Sequence, residues 1–217
     1  MALLAKNQRF IVTGLLVAFS LGFLGFFTES DQLSPVFQSF IVSIVFFLVI
    51  PVLYSKMVLK ESLKNIGWQR GNVSAGILSG IASVTLALAA VVTLAFTFPD
   101  FREQYTFPVS VETNFGWFML YELVLVAFTV LLYEVFFRGL IQLFWLRAFG
   151  PWSIVGQAAL FFGLAYFSQD ISWAVAPLLI FCPFAGFIAY HSRSIRYSFA
   201  ASWIFLFLTD VFFLIFR

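Results

Sequence analysis

Long uncharged apolar runs constrain this chain more than any other feature of its sequence. A helix needs about 20 apolar residues to cross the hydrocarbon core of a bilayer. Runs of that order occur at Phe10–Phe27, Val36–Ser55, Val73–Phe98, Phe115–Phe137, Trp152–Phe167, Ser172–Tyr190 and Tyr197–Phe216. Strands of a membrane barrel alternate polar and apolar residues over about ten positions, and these runs do not. The expected fold class is therefore all-α, a polytopic membrane bundle of about seven transmembrane helices in a single domain. Composition agrees. Only 10% of residues are charged and the mean hydropathy is +1.01, where a soluble domain carries about a quarter charged residues. A globule of 217 residues leaves too much surface in water to hide that much apolar side chain. Soluble enzyme, disordered tail and nucleic-acid module are excluded. The net charge of +2 comes from scattered cations, so no nucleic-acid partner is implied.

Orientation follows from where those cations fall. Lys6 and Arg9 precede the first run, and Lys56, Lys60, Lys64 and Arg70 follow the second. Arg138 and Arg147 close the fourth, and Arg193 and Arg196 separate the sixth and seventh; only Arg102 and Arg217 fall elsewhere. Glu29, Asp31, Asp100, Glu103, Glu112 and Asp170 occupy the opposite loops. The positive-inside rule then places the N-terminus in the cytoplasm and, with seven spans, the C-terminus outside. The first run lacks a small-x-small cleavage site and reads as a retained helix rather than a signal peptide.

Between the second and third runs, Leu59, Leu63, Ile66 and Trp68 recur at nearly helical spacing among Lys60, Glu61, Lys64 and Arg70. The pattern predicts a short amphipathic connector, or a helix lying among anionic headgroups. Gly76 and Gly80 make a small-xxx-small pair for close helix approach, and the favoured partner is a helix of the same chain. The lone Cys182, among apolar neighbours, reads as an inert buried thiol.

Ionisable residues inside the spans carry the functional information, because a lone charge at the bilayer centre is costly. They are Glu122, Glu134, Arg138 and Asp210. Glu134 and Arg138 stand four apart, on one helix face, and Gln142 extends the stripe. They are either a structural ion pair that fixes helix packing or part of a site facing a cavity. Glu122 and Asp210, nearer the outer ends of their spans, are expected to reach the interface.

The run Tyr133-Glu134-Val135-Phe136-Phe137-Arg138-Gly139 resembles the Glu-Glu-x-x-x-Arg motif of the CAAX protease and bacteriocin-processing (CPBP, Abi-like) family, with Tyr133 in place of the first glutamate. Phe162-Gly163-Leu164-Ala165-Tyr166 is similar to that family's F-x-x-x-H, with Tyr166 at the histidine. Phe184–Tyr190 resembles the glycine-bearing helix that follows, and the spacing beyond Arg193 puts Ser202 on the last histidine and Leu206 on the family's Asn. Glu61–Gly67 is like the family's basic loop. The resemblance covers roughly residues 60–217, preceded by two helices at 10–27 and 36–55. It implies a helical core with a cytoplasm-open intramembrane site, where a glutamate and histidines activate water, directly or through a metal, for attack on a peptide carbonyl.

The substituted positions argue against that chemistry here. A phenol ionises near ~10 and makes a poor base at neutral pH, and a serine neither replaces an imidazole nor serves as a usual zinc ligand. The only histidine, His191, lies in a basic turn and is expected at headgroup level. The leading expectation is thus a non-catalytic, CPBP-like binding or assembly subunit of the bacterial inner membrane. Its partners would be lipids and a membrane protein or hydrophobic peptide segment, with no cofactor and no metal. The alternative is an intramembrane CAAX-type endopeptidase using Glu134 as base with Tyr133 or Tyr166 as proton donor. A small transporter is a weaker third, since no paired broken helices are evident.

Overall fold

The computed structural model describes residues 6–28, 35–168 and 172–216, all helices and connections with no strand among them. The orientation cues at Glu29, Asp31, Asp170 and Arg217 lie outside the described residues, as do the side chains of Lys6 and Arg147. In chain order the helices are α1 (Lys6–Gly25), α2 (35–58), α3 (Val73–Thr97), the short α4 (Pro99–Gln104) and α5 (Val109–Thr113), α6 (115–149), α7 (Trp152–Phe167), α8 (Ala176–Ser192) and α9 (Ile195–Phe216). Five are long and apolar enough to cross a membrane: α1, α2, α3, α6 and α9. This is an all-helical architecture consistent with an integral membrane protein. Helices α7 and α8 coincide with the fifth and sixth runs of the sequence and are equally apolar, but have only 16 and 17 residues. At ~1.5 Å per residue they reach about 25 Å, short of a ~30 Å hydrocarbon core.

Helices α3, α8 and α9 form one tightly packed group. The buried stripe of α3 is Gly76, Gly80, Ser83, Ala87, Val91 and Ala95, small residues at helical spacing. A β-carbon at Gly76 would overlap the Tyr197 ring, and one at Gly80 would lie 3.7 Å from Ala201. The small-xxx-small pair therefore meets α9 of the same chain, as the sequence suggested. Helix α6 lies against α2, α7, α8 and α9, and α1 against α7. Phenylalanines fill the second core around Phe47, Phe136, Phe137 and Phe161, with ring centroids 4.9–5.7 Å apart.

Of the two readings of the segment after α2, the favoured connector stands and the headgroup helix fails. Residues 59–72 are turns, not an amphipathic helix. Lys60, Gly67 and Gly71 all take positive φ, which a right-handed helix does not allow. The segment instead folds back on the bundle end. Gly67 accepts the Ile195 N–H at 3.0 Å, Ser192 accepts that of Asn72 at 2.8 Å, and Gln69 accepts the Ser194 hydroxyl at 2.5 Å. Leu59 and Ile66 are buried, and a β-carbon at Gly139 would sit 2.8 Å from the Ile66 carbonyl. Leu59 and Ile66 serve as a plug under α6, while Trp68 stays exposed.

Candidate functional site

Glu134 and Arg138 meet as their spacing predicts, with Arg138 Nε 3.6 Å from Glu134 Oε1, and both side chains are buried. They sit in a π-helical stretch of α6, Glu134–Leu143, every residue of which is buried. Helix α9 closes over the carboxylate: the Ser198 hydroxyl donates to Oε2 and the Ser202 hydroxyl to Oε1, the latter at 3.1 Å. Arg138 donates from Nη2 to the Cys182 carbonyl of α8 at 3.1 Å and lies over the Phe161 ring of α7 at 5.9 Å. Two further amides join. Gln157 Nε2 donates to the Cys182 carbonyl at 3.3 Å, and Gln142 Nε2 to the Gly186 carbonyl at 2.6 Å. Gly186 permits this approach, because a β-carbon there would lie 2.5 Å from Gln157 Nε2. The result is a polar knot joining α6, α7, α8 and α9 inside the apolar bundle, where unsatisfied polar groups would be most costly.

Of the five motif positions, four converge and one does not. Tyr133, Glu134, Arg138 and Ser202 line a single void of about 20 Å³ with Phe161 and Cys182. Tyr133 is half-buried, with its ring 5.2 Å from that of Phe161. Tyr166 is 68% exposed on the outside of α7 and takes no part; the matching spacing does not bring it to the site, because the inward face of α7 belongs to Gln157, Phe161 and Ala165. Sequence reading missed Ser198, Gln157 and the Cys182 and Gly186 carbonyls. Ser198 and Ser202, four apart on the last helix, were the available signal. Cys182 is buried as expected, its thiol 3.7 Å from Gln157 Oε1. His191 is exposed, its Nδ1 2.9 Å from the Phe187 carbonyl.

The donor set around Glu134 does not fit a divalent metal. One carboxylate and two hydroxyls are beside a guanidinium, whose charge opposes a second cation, and no imidazole is near. Among the described residues no three His, Cys, Asp or Glu side chains cluster for one.

Glu122 and Asp210 do not point to the interface. Both are buried, and they face one another between α6 and α9. Asp210 Oδ1 accepts the Tyr105 hydroxyl at 2.5 Å. Tyr105 lies in the connection after α4, and burial, followed by the charge of Asp210, pushes its phenol above the ordinary value of 10. Compared with family models, curated proteins and solved structures, the chain matches none.

Proposed function

We propose that this chain is a non-catalytic membrane protein with a CPBP-like core over roughly residues 60–217, acting as a binding or assembly subunit. In this reading α7 and α8 complete seven spans, the N-terminus is cytoplasmic, and the home is a bacterial inner membrane. One observation carries it: both oxygens of the Glu134 carboxylate are engaged by α9 hydroxyls, and Oε1 also by Arg138. A general base must be free to take a proton from water beside the substrate. Here the adjoining void of about 20 Å³ has no room for a peptide segment. The plug formed by residues 59–72 covers the same end of α6. A groove of about 300 Å³ between α3 and α9, lined by Gly76, Gly80, Val84, Ala201 and Ile204, offers a partner's transmembrane helix a surface outside the knot.

The second reading, an endopeptidase with Glu134 as base, is favoured by that same void, which is large enough for about one water. A complementation assay separates the two. The double variant Glu134→Leu with Arg138→Leu removes the base together with its counter-charge. If the knot is structural, cells lacking the protein regain their phenotype with the double variant wherever it accumulates to wild-type level. Loss of complementation at wild-type abundance, with loss of a cleavage product, establishes the endopeptidase instead.

A further inference from the structure

The second acidic pair has chemistry that its surroundings leave incomplete. Glu122 is 0% exposed, and apart from the Asp210 carboxyl facing it neither carboxyl oxygen has a hydrogen-bond partner. Its carboxyl interacts with that of Asp210, whose Oδ1 is taken by Tyr105. Two carboxylates side by side in low dielectric cannot both remain ionised. Something positive must accompany them, a proton or a cation. The facing elements supply no fixed cation: α6 contributes Tyr121, the connection after α4 contributes Tyr105, α9 contributes Asp210, and α8 contributes no charged group.

Beside the pair lies a cavity of about 170 Å³, with Asp210, Tyr105, Tyr121 and Thr129 in a wall otherwise made by apolar residues such as Leu178 and Leu206. Leu125 and Ala174, both exposed, stand at its rim. We infer that this cavity binds a small organic ammonium ion, with Asp210 as counter-charge, the phenol rings of Tyr105 and Tyr121 offering cation–π contact, and the apolar wall taking the hydrocarbon part. Size fits, since a dry cavity of about 150 Å³ accommodates benzene. The wall also selects the ligand class: a bare metal ion asks for about six oxygen ligands, whereas this surface is mainly hydrocarbon and aromatic, where an ammonium gains from a ring face. Without a ligand the pair carries a proton on each carboxyl and is neutral, and adding net charge to so dry a site is unfavourable. One proton therefore leaves the Glu122–Asp210 pair for each ammonium that enters, and the site's charge stays constant.

The test is calorimetric titration of the full-length protein in mild detergent with benzylammonium, against benzyl alcohol as the uncharged control. Benzylammonium binds at one site, with an apparent Kd that weakens about tenfold for each unit of acidification in the range where the pair holds the proton. Titrations in buffers of different ionisation enthalpy show one proton released per ligand. Asp210→Asn weakens binding by at least about tenfold, as loss of a buried counter-charge does. Ala174→Leu narrows the rim without touching a carboxyl and weakens binding while leaving the proton count unchanged. Equal binding of benzyl alcohol, binding without proton release, or no binding of benzylammonium by the wild-type protein each overturns the inference. Should Asp210→Asn fail to fold, the wild-type proton count and Ala174→Leu decide alone.

Discussion

Cutting the Glu134–Arg138 pair from either side gives the sharpest test of the polar knot. Arg138→Leu leaves a buried carboxylate without its counter-charge, a loss of roughly 3–5 kcal/mol for pairs of this kind. Two hydroxyl donors remain, from Ser198 and Ser202, so the expected cost lies at the lower end, about 3 kcal/mol. Glu134→Leu strands Arg138, only 4% exposed, with one carbonyl acceptor and one ring face. That loss lies at the upper end, about 5 kcal/mol. Replacing both leaves no buried charge. Ser198 keeps the Ile195 carbonyl, 3.2 Å away, as an acceptor, and the double variant is expected close to neutral, within about 1–2 kcal/mol. Single losses of about 3 and about 5 kcal/mol against a double loss of about 1–2 kcal/mol give a coupling of roughly 6–7 kcal/mol in the double-mutant cycle, about ten-thousandfold or more in the folding equilibrium. Reversible unfolding in mixed micelles, followed by tryptophan fluorescence or gel shift, measures all four proteins. Additivity of the two single losses within ~0.5 kcal/mol refutes the pairing, because groups that do not meet add in that way.

Two other perturbations read different parts of the structure. Gly71, at φ +57°, has no room for a β-carbon against the Ser192 carbonyl oxygen, whereas Gly150, at φ +54°, has nothing within 4 Å; Gly150→Ala should cost about 1 kcal/mol for backbone strain alone and Gly71→Ala distinctly more, by thermal unfolding. The buried Tyr105 phenol holds its proton above the ordinary value of 10, so the unfolded chain releases that proton first. Stability is then fully present below about pH 10 and falls as pH rises beyond it, and Tyr105→Phe should flatten that alkaline loss when unfolding is compared at about pH 9 and 11.

What the sequence revealed and what it hid divide along physical lines. Five of the seven expected spans were legible because apolar run length is a local property, and Glu134 with Arg138 because four residues make one helical turn. The small face of α3 was legible for the same reason. The loop at residues 59–72 was legible as a connector, but not its path: its apolar spacing also suits a helix, and Gly67 and Gly71 take left-handed backbone that only the fold demands. Tyr166 misled in another way. Correct spacing along a motif says nothing about which face of α7 turns inward, and there the inward face holds Gln157 and Phe161. The Cys182 and Gly186 carbonyls are invisible in sequence, since any residue presents the same backbone oxygen.

Glu122 was hidden for a subtler reason, which also links the two buried acids. Twelve residues separate it from Glu134. At about 100° per residue in an ideal α-helix, those side chains would stand about 120° apart around α6. The stretch Tyr121–Val126 is π-helical, and a π-turn takes up an extra residue, setting back everything that follows by about 100°. The residual angle falls to about 20°, and Glu122 and Glu134 come onto one face. Opposite them α9 is regular: Ser198, Ser202 and Asp210 stand at spacings of four and eight residues, so Ser202 lies about 40° and Asp210 about 120° around the axis from Ser198. One helix with an inserted turn thus faces one regular helix, and both acids find α9 partners: Ser198 and Ser202 for Glu134, Asp210 for Glu122. Val130, Leu178 and Leu206 line both the void at Glu134 and the cavity at Asp210. An apolar partition three side chains wide therefore separates the two buried acids.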